Sequence, residues 1–154
     1  MRLLVFSDSH GSPYYMRRAL EKHPEADMIV FLGDGFRDLE SVEFEIAGRP
    51  VVSVKGNCDF GSDEKILEIL NVEGHRIYIT HGFAEHVKYG IGDLAVNARG
   101  YKADIVFFGH THMQMTDYED GMHFRINKQP LHLEEAACTA NHCRFVIHAF
   151  RYFR

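Results

Sequence analysis

Short, largely apolar runs recur along this chain, and each ends on a polar residue of a restricted kind. Leu3-Leu4-Val5-Phe6 leads into Asp8 and His10, and Met28-Ile29-Val30-Phe31-Leu32 into Gly33-Asp34. Val51-Val52-Ser53-Val54 leads into Gly56-Asn57, Ile77-Tyr78-Ile79-Thr80 into His81, and Ile105-Val106-Phe107-Phe108 into Gly109-His110-Thr111-His112. Runs of this length bounded by turn residues predict strands.

The segments between them predict helices and one strand pair. Ser12 to His23 has Ser12 as N-cap, Pro13 in the first turn, and Met16, Ala19 and Leu20 on one face. Arg37 to Ile46 is a weaker helical segment, and Ile91 to Arg99 a clearer one that stops at Gly100. Lys65 to Thr80, with Gly74 in its middle, predicts two strands joined by a turn, and Arg144 to Phe150 a final strand. Strands alternating with helices imply mainly parallel pairing, and runs this apolar imply sheets covered on both faces, an α/β architecture.

In such sheets ligands gather beyond the carboxyl ends of the strands. The polar residues after the five runs all fall there. Asp8/His10 and His110/His112 are i, i+2 pairs, which an extended backbone sends to one side. Gly33, Gly56, Gly82 and Gly109 remove side chains where backbone must approach a ligand. Taken singly, an Asp-x-His turn, a Gly-Asp dipeptide or a lone histidine is ordinary; their order and strand context make a site. The other histidines (His23, His75, His86, His123, His132, His142 and His148) read as surface or structural.

Composition narrows the chemistry. The chain has 154 residues, enough for one domain over 1–154, and its net charge is -5 without a basic stripe. Long nucleic acid is therefore disfavoured, and a phosphate substrate needs a local cation. The first apolar run is too short for a signal peptide or membrane span. Cys58, Cys138 and Cys143 lack a disulfide framework spacing, which points to a reduced, cytoplasmic protein. Asp8, His10, Asp34, Asn57, His81, His110 and His112 offer oxygen and nitrogen donors without a thiolate, suited to manganese, iron, nickel, zinc or magnesium. Seven side chains exceed the four of a structural zinc and match two divalent ions sharing one carboxylate. Asp34 is the expected bridge.

Read in order, Asp8-Ser9-His10, Gly33-Asp34, Gly56-Asn57-Cys58-Asp59, His81-Gly82 and Gly109-His110-Thr111-His112 resemble the calcineurin-like metallophosphoesterase family. The form Gly-Asn-Cys-Asp and the short chain are most similar to its small YfcE-like phosphodiesterase branch. The resemblance implies a four-layer αββα sandwich of two mixed β-sheets flanked by helices. It also implies one metal held by Asp8, His10, Asp34 and His112, and a second by Asp34, Asn57, His81 and His110. Manganese is the implied ion, and a hydroxide bridging the two metals the implied nucleophile against a small phosphoester. A homo-oligomer is compatible with this reading. The alternative is a non-catalytic protein-binding scaffold of the same fold, as in a eukaryotic trafficking relative of the branch.

The chain departs from the family's pattern at three places. Cys58 stands where phosphomonoesterases of the family have a histidine that contacts the phosphate, and Phe83 where many relatives carry a second histidine; both are expected to border the substrate, with Asn57. After Asn127 the branch continues Pro-Gly-Ser, whereas here Lys128-Gln129-Pro130-Leu131 opens an atypical 128–154 segment.

Overall fold

The computed structural model describes residues 1–113, 115–119, 121–126 and 144–149. Within them the chain runs β1 (Arg2–Ser7), α1 (Tyr14–Lys22), β2 (Met28–Phe31), α2 (Phe36–Ser41), α3 (Glu43–Ile46), β3 (Val51–Ser53) and β4 (Leu67–Val72). It continues with β5 (His75–Thr80), α4 (Gly92–Gly100), β6 (Ile105–Phe107), β7 (Met115–Glu119), β8 (Met122–Ile126) and β9 (Arg144–Ala149).

Alternation along the apolar runs sets the layers. Leu3, Val5, Val30 and Leu32 pack with Ile77, Ile79, Ile105 and Phe107 in one buried cluster that draws on both sheets. Their neighbours Leu4, Phe6, Ile29 and Phe31 face the other way, against Met16, Ala19 and Leu20 of α1, Leu39 of α2, Ile46 of α3 and Val42 between those two helices. Tyr78, Val106 and Phe108 likewise meet Leu94, Ala95 and Ala98 of α4. Helices, sheet, sheet and helix are thus stacked, and each central strand is buried on both sides because both its faces are apolar.

The first sheet has the order β3-β2-β1-β9 and the second β4-β5-β6-β8-β7. Every pairing in the first is parallel. The mixed character lies in the second, where β4–β5 and β7–β8 are antiparallel and β5–β6 and β6–β8 parallel. The expected final strand is present over Arg144–Ala149, in parallel register with Arg2–Ser7. The rest of the atypical 128–154 segment lies outside the described residues.

Three local readings need correction. Ser12 is not the N-cap of α1: Pro13 takes that place, its carbonyl accepting the Arg17 N–H at 2.9 Å, while the Ser12 N–H turns back to Ser9 at 3.0 Å. The segment from Arg37 to Ile46 is two helices broken at Val42. There the Ser41 hydroxyl donates to the Asp38 carbonyl at 2.7 Å, a local bond that competes with helix continuation. α4 does end at Gly100, but that glycine is not its left-handed cap; the left-handed residue is Lys102 (φ 55°), and Ala103 N–H closes the turn on Ala98 O at 3.0 Å.

Candidate metal centre

The carboxyl ends of β1, β2 and β3 in the first sheet and of β5 and β6 in the second converge on one rim. Asp8, His10, Asp34, His110 and His112 all have left-handed φ values, between 47° and 67°. For residues with a Cβ this costs about 1–2 kcal/mol each, so the surrounding bonds must impose it. Asp8 N–H donates to Gly33 O at 2.9 Å and His10 N–H to Asp34 O at 3.0 Å, tying the first two loops together.

The glycines serve the loops rather than a ligand. A Cβ on Gly56 would lie 2.6 Å from Asp34 N, and one on Gly109 would lie 2.7 Å from Asp8 Oδ2. Their bare α-carbons let one motif loop press directly on the next.

The seven candidate side chains meet. Asp8, Asp34, His81 and His110 are buried, and His10, Asn57 and His112 are half-buried. Donor atoms of Asp8, His10 and His112 lie within 4.8 Å of one another, as do those of Asp34, His81 and His110. Asp8 Oδ1 sits 3.4 Å from His112 Nε2 and 3.7 Å from His10 Nε2. Asp34 Oδ2 sits 3.3 Å from His81 Nε2 and 3.9 Å from His10 Nε2. Asn57 Oδ1 approaches the same His81 nitrogen at 3.2 Å, and the Nε2 atoms of His10 and His112 face each other at 3.5 Å.

Hydrogen bonding shows which atoms are spare. Asp8 Oδ2 accepts from His110 N–H at 3.1 Å and from the Ser7 hydroxyl. Asp8 Oδ1 is buried and has no hydrogen-bond partner among the described residues. A buried carboxylate oxygen without a partner is costly unless a cation meets it. His81 Nδ1–H donates to the Leu32 carbonyl at 2.7 Å, which leaves Nε2 aimed at Asp34 and Asn57. Such backbone anchoring fixes the tautomer of metal-binding histidines. The residues present therefore fit divalent cations that take oxygen and imidazole nitrogen.

The electrostatics agree. Burial works against ionisation of Asp34, but hydrogen bonding to and the charge of His81 outweigh it and hold the carboxyl well below the usual range. Burial also opposes protonation of His81, yet Asp34 and Asp8 raise its pKa overall. Burial, aided by the charges of His81 and Lys88, pushes His110 down to about 4. His112 is likewise lowered, chiefly by burial. Neutral imidazoles are the form that donates a lone pair to a metal, so His110 and His112 are favoured in that form, whereas His81 would give up its proton to a bound cation.

Residues to which the sequence assigned no role hold this arrangement. Asp59 Oδ2 accepts N–H bonds from Asp34 at 2.7 Å and Gly56 at 2.8 Å; its Oδ1 accepts from Gly35 at 2.8 Å and Phe36 at 3.1 Å. Asp38 binds the Ser9 hydroxyl at 2.6 Å and the Gly11 N–H at 2.8 Å. Buried Glu85 accepts from Tyr78 at 2.9 Å and Thr80 at 3.1 Å, securing the loop after His81. The only hint in the sequence was Asp59's place inside Gly-Asn-Cys-Asp.

Cys58 is exposed and free, its backbone N–H donating to Asp34 Oδ1 at 2.7 Å. Burial of the sulfur, then Asp34, pushes the thiol up to about 11. Phe83 is 56% exposed and meets His110 edge-on at 5.5 Å, at the mouth of the site. Of the histidines read as surface or structural, His23, His75 and His86 contact Glu25, Asp104 and Asp93, and His123 packs on Tyr118. The backbone of His148 is in β9, and His132 and His142 lie outside the described residues.

A two-sheet α/β fold with an Asp/His/Asn centre on its rim defines a class, and comparison with known proteins agrees. The calcineurin-like phosphoesterase superfamily domain matches residues 1–128. The chain belongs to that family. It is 32% identical over 114 residues to the probable metallophosphoesterase YsnB of Bacillus subtilis (strain 168), covering 73% of this chain but 65%, less than two thirds, of the relative. A conserved uncharacterized protein of Streptococcus pneumoniae TIGR4 has the same fold, with a TM-score of 0.68 at 24% identity over 80% of this chain and 69% of that one. So does wild-type Vps29 of Entamoeba histolytica complexed with Zn²⁺, with a TM-score of 0.63 at 23% identity over 80% and 71%. These likenesses agree with the small branch that the motifs resemble. Among the described residues no helix is long and apolar enough to cross a membrane.

Proposed function

We propose that the chain is a divalent-metal-dependent phosphoesterase that prefers phosphodiesters. The observation that carries this is the buried Asp8 Oδ1, without a hydrogen-bond partner among the described residues, facing the nitrogens of His10 and His112 beside Asp34 and His81. Asp8, His10, Asp34 and His112 would hold one ion, and Asp34, Asn57, His81 and His110 the other, with manganese the expected metal. Two such ions, when bound, supply an activated water and positive charge against the phosphate oxygens.

The chain's own side chains position and select. Leu32 O keeps His81 in one tautomer, and Asp59 fixes the spacing of the Asp34 and Asn57 loops. Phe83 and Cys58 border the substrate from opposite sequence motifs. A thiol is uncharged at neutral pH and is a poor proton donor to a leaving group. A monoester dianion needs more positive charge around its oxygens than a diester, so Cys58 favours diesters. Cys58→His is expected to raise the monoester-to-diester ratio of kcat/KM at equal metal occupancy. An unchanged ratio would assign Cys58 to packing.

The deciding experiment is metal removal. Chelation should abolish hydrolysis of bis(p-nitrophenyl) phosphate, and manganese should restore it. Full activity in stripped protein would refute the two-metal reading. The likeness in fold to Vps29 sustains a second reading, a protein-binding scaffold, for which no divalent metal should elicit turnover of any phosphoester.

A further inference from the structure

A cleft of about 1260 Å³ opens from the site at His10, Asp34 and Cys58 and runs between the edge strands β3 and β4. That is more room than a phosphate needs and enough for a sizeable organic group. Its walls carry Phe36, Val51, Val52, Phe60, Ile69 and Leu70. Its charges are unequal. Among the described residues, the acidic side chains beyond Asp34 are Asp38, Glu40, Asp59, Asp63, Glu64 and Glu68, against Arg37 and Lys65. Lys65 is paired with Glu68 at 2.8 Å. Asp38 and Asp59 are occupied by the bonds to the site loops, which leaves Glu40, Asp63 and Glu64 as exposed carboxylates along the cleft.

We infer that the cleft receives the alcohol portion of the diester, and that this portion has an apolar face and a positively charged nitrogen rather than a second phosphate. The inference rests on the phosphodiesterase reading and names its substrate class. The scissile phosphate is monoanionic and belongs at the metal centre. Any further phosphate, as in an oligonucleotide, would enter a field of like sign, whereas an ammonium group is attracted. The apolar walls take the carbon skeleton.

Two matched pairs of p-nitrophenyl diesters test this with one leaving group. The first is p-nitrophenyl phosphorylcholine against its uncharged isostere, p-nitrophenyl 3,3-dimethylbutyl phosphate. The second is thymidine 5′-(p-nitrophenyl phosphate) with and without a 3′-phosphate. In the manganese-loaded protein kcat/KM should be at least about tenfold higher for the choline ester than for its isostere, and about tenfold lower with the 3′-phosphate. The combined variant Glu40→Gln, Asp63→Asn, Glu64→Gln should bring both ratios toward unity. Ratios near unity in the parent protein, or ratios the variant does not alter, overturn the inference and leave the esterase reading standing. If no diester turns over with any metal, the esterase reading falls. Titration calorimetry of the loaded protein then decides: tighter binding of glycerophosphocholine than of thymidine 3′,5′-bisphosphate upholds the charge preference, and any other result overturns it.

Discussion

Asp34→Asn should leave a folded protein that no longer turns over diesters and no longer holds two ions. Asp34 Oδ1 accepts the Cys58 N–H at 2.7 Å, so the new amide will keep its oxygen there. Its NH₂ then points where Oδ2 stood, 3.3 Å from His81 Nε2 and 3.9 Å from His10 Nε2. A donor group replaces an oxygen that faces candidate ligands of both ions. The loss should exceed the roughly 10–100-fold in affinity or activity typical of residues that only support a ligand. His81→Ala, by contrast, should empty mainly one position. Metal counting on both purified variants, with kcat/KM on a chromogenic diester, separates the two. If Asp34→Asn retains two ions per chain and normal turnover, Asp34 is not the bridge.

Asp59→Asn should be nearly as damaging, although Asp59 is not among the candidate ligands. Each carboxylate oxygen accepts two backbone N–H groups, Oδ2 from Asp34 and Gly56 and Oδ1 from Gly35 and Phe36. An amide can satisfy one pair but sets its own N–H groups against the other. Losing two charge-assisted bonds in a half-buried site should cost about 2–4 kcal/mol. In a chain of this size that is a fall of roughly 4–15 °C in Tm. Metal affinity should drop about 10–100-fold, because the loops bearing Asp34 and Asn57 lose their common anchor. Thermal melts with and without manganese, and calorimetric metal titration, measure both effects. A variant with unchanged melting and affinity would reduce Asp59 to a surface carboxylate.

The difference between these two residues marks what the sequence could disclose. Asp34 was legible because its type and its place after an apolar run are local facts. All seven candidates of that kind meet on the rim. Asp59 was not legible as an anchor, since its partners lie up to 25 positions away and are backbone groups that exist in every sequence. The left-handed conformations of Asp8, His10, Asp34, His110 and His112 were equally hidden, because Asp and His enter that region more often than most residues but still uncommonly. The glycines were noticed for closeness to a ligand, but at Gly56 and Gly109 the close neighbour is another motif loop.

For the fold, β1, β2, β3, β5 and β6 announced themselves by continuous apolar runs. The β7–β8 hairpin escaped notice because Thr116, Asp117 and Tyr118 are exposed and polar enough to break such a run. The Asp-Gly dipeptide at positions 120–121 is the turn signal that the sequence itself carries. The break at Val42 depended on a serine bonding the backbone carbonyl three residues before it, which apolar periodicity does not register.

The division of the candidate ligands between the sheets has a mechanical consequence. Asp8, His10, Asp34 and Asn57 follow strands of the first sheet; His81, His110 and His112 follow strands of the second. Each proposed ion would therefore draw on both halves of the sandwich, riveting them at one end. The apolar layer of Leu3, Val5, Val30, Ile77, Ile79 and Phe107 holds the same halves along their length. Parting the sheets would require breaking the coordination bonds first, so occupancy of the rim would govern how readily water reaches that layer. In such a protein the supply of metal would set the lifetime of the folded chain as well as its catalytic state.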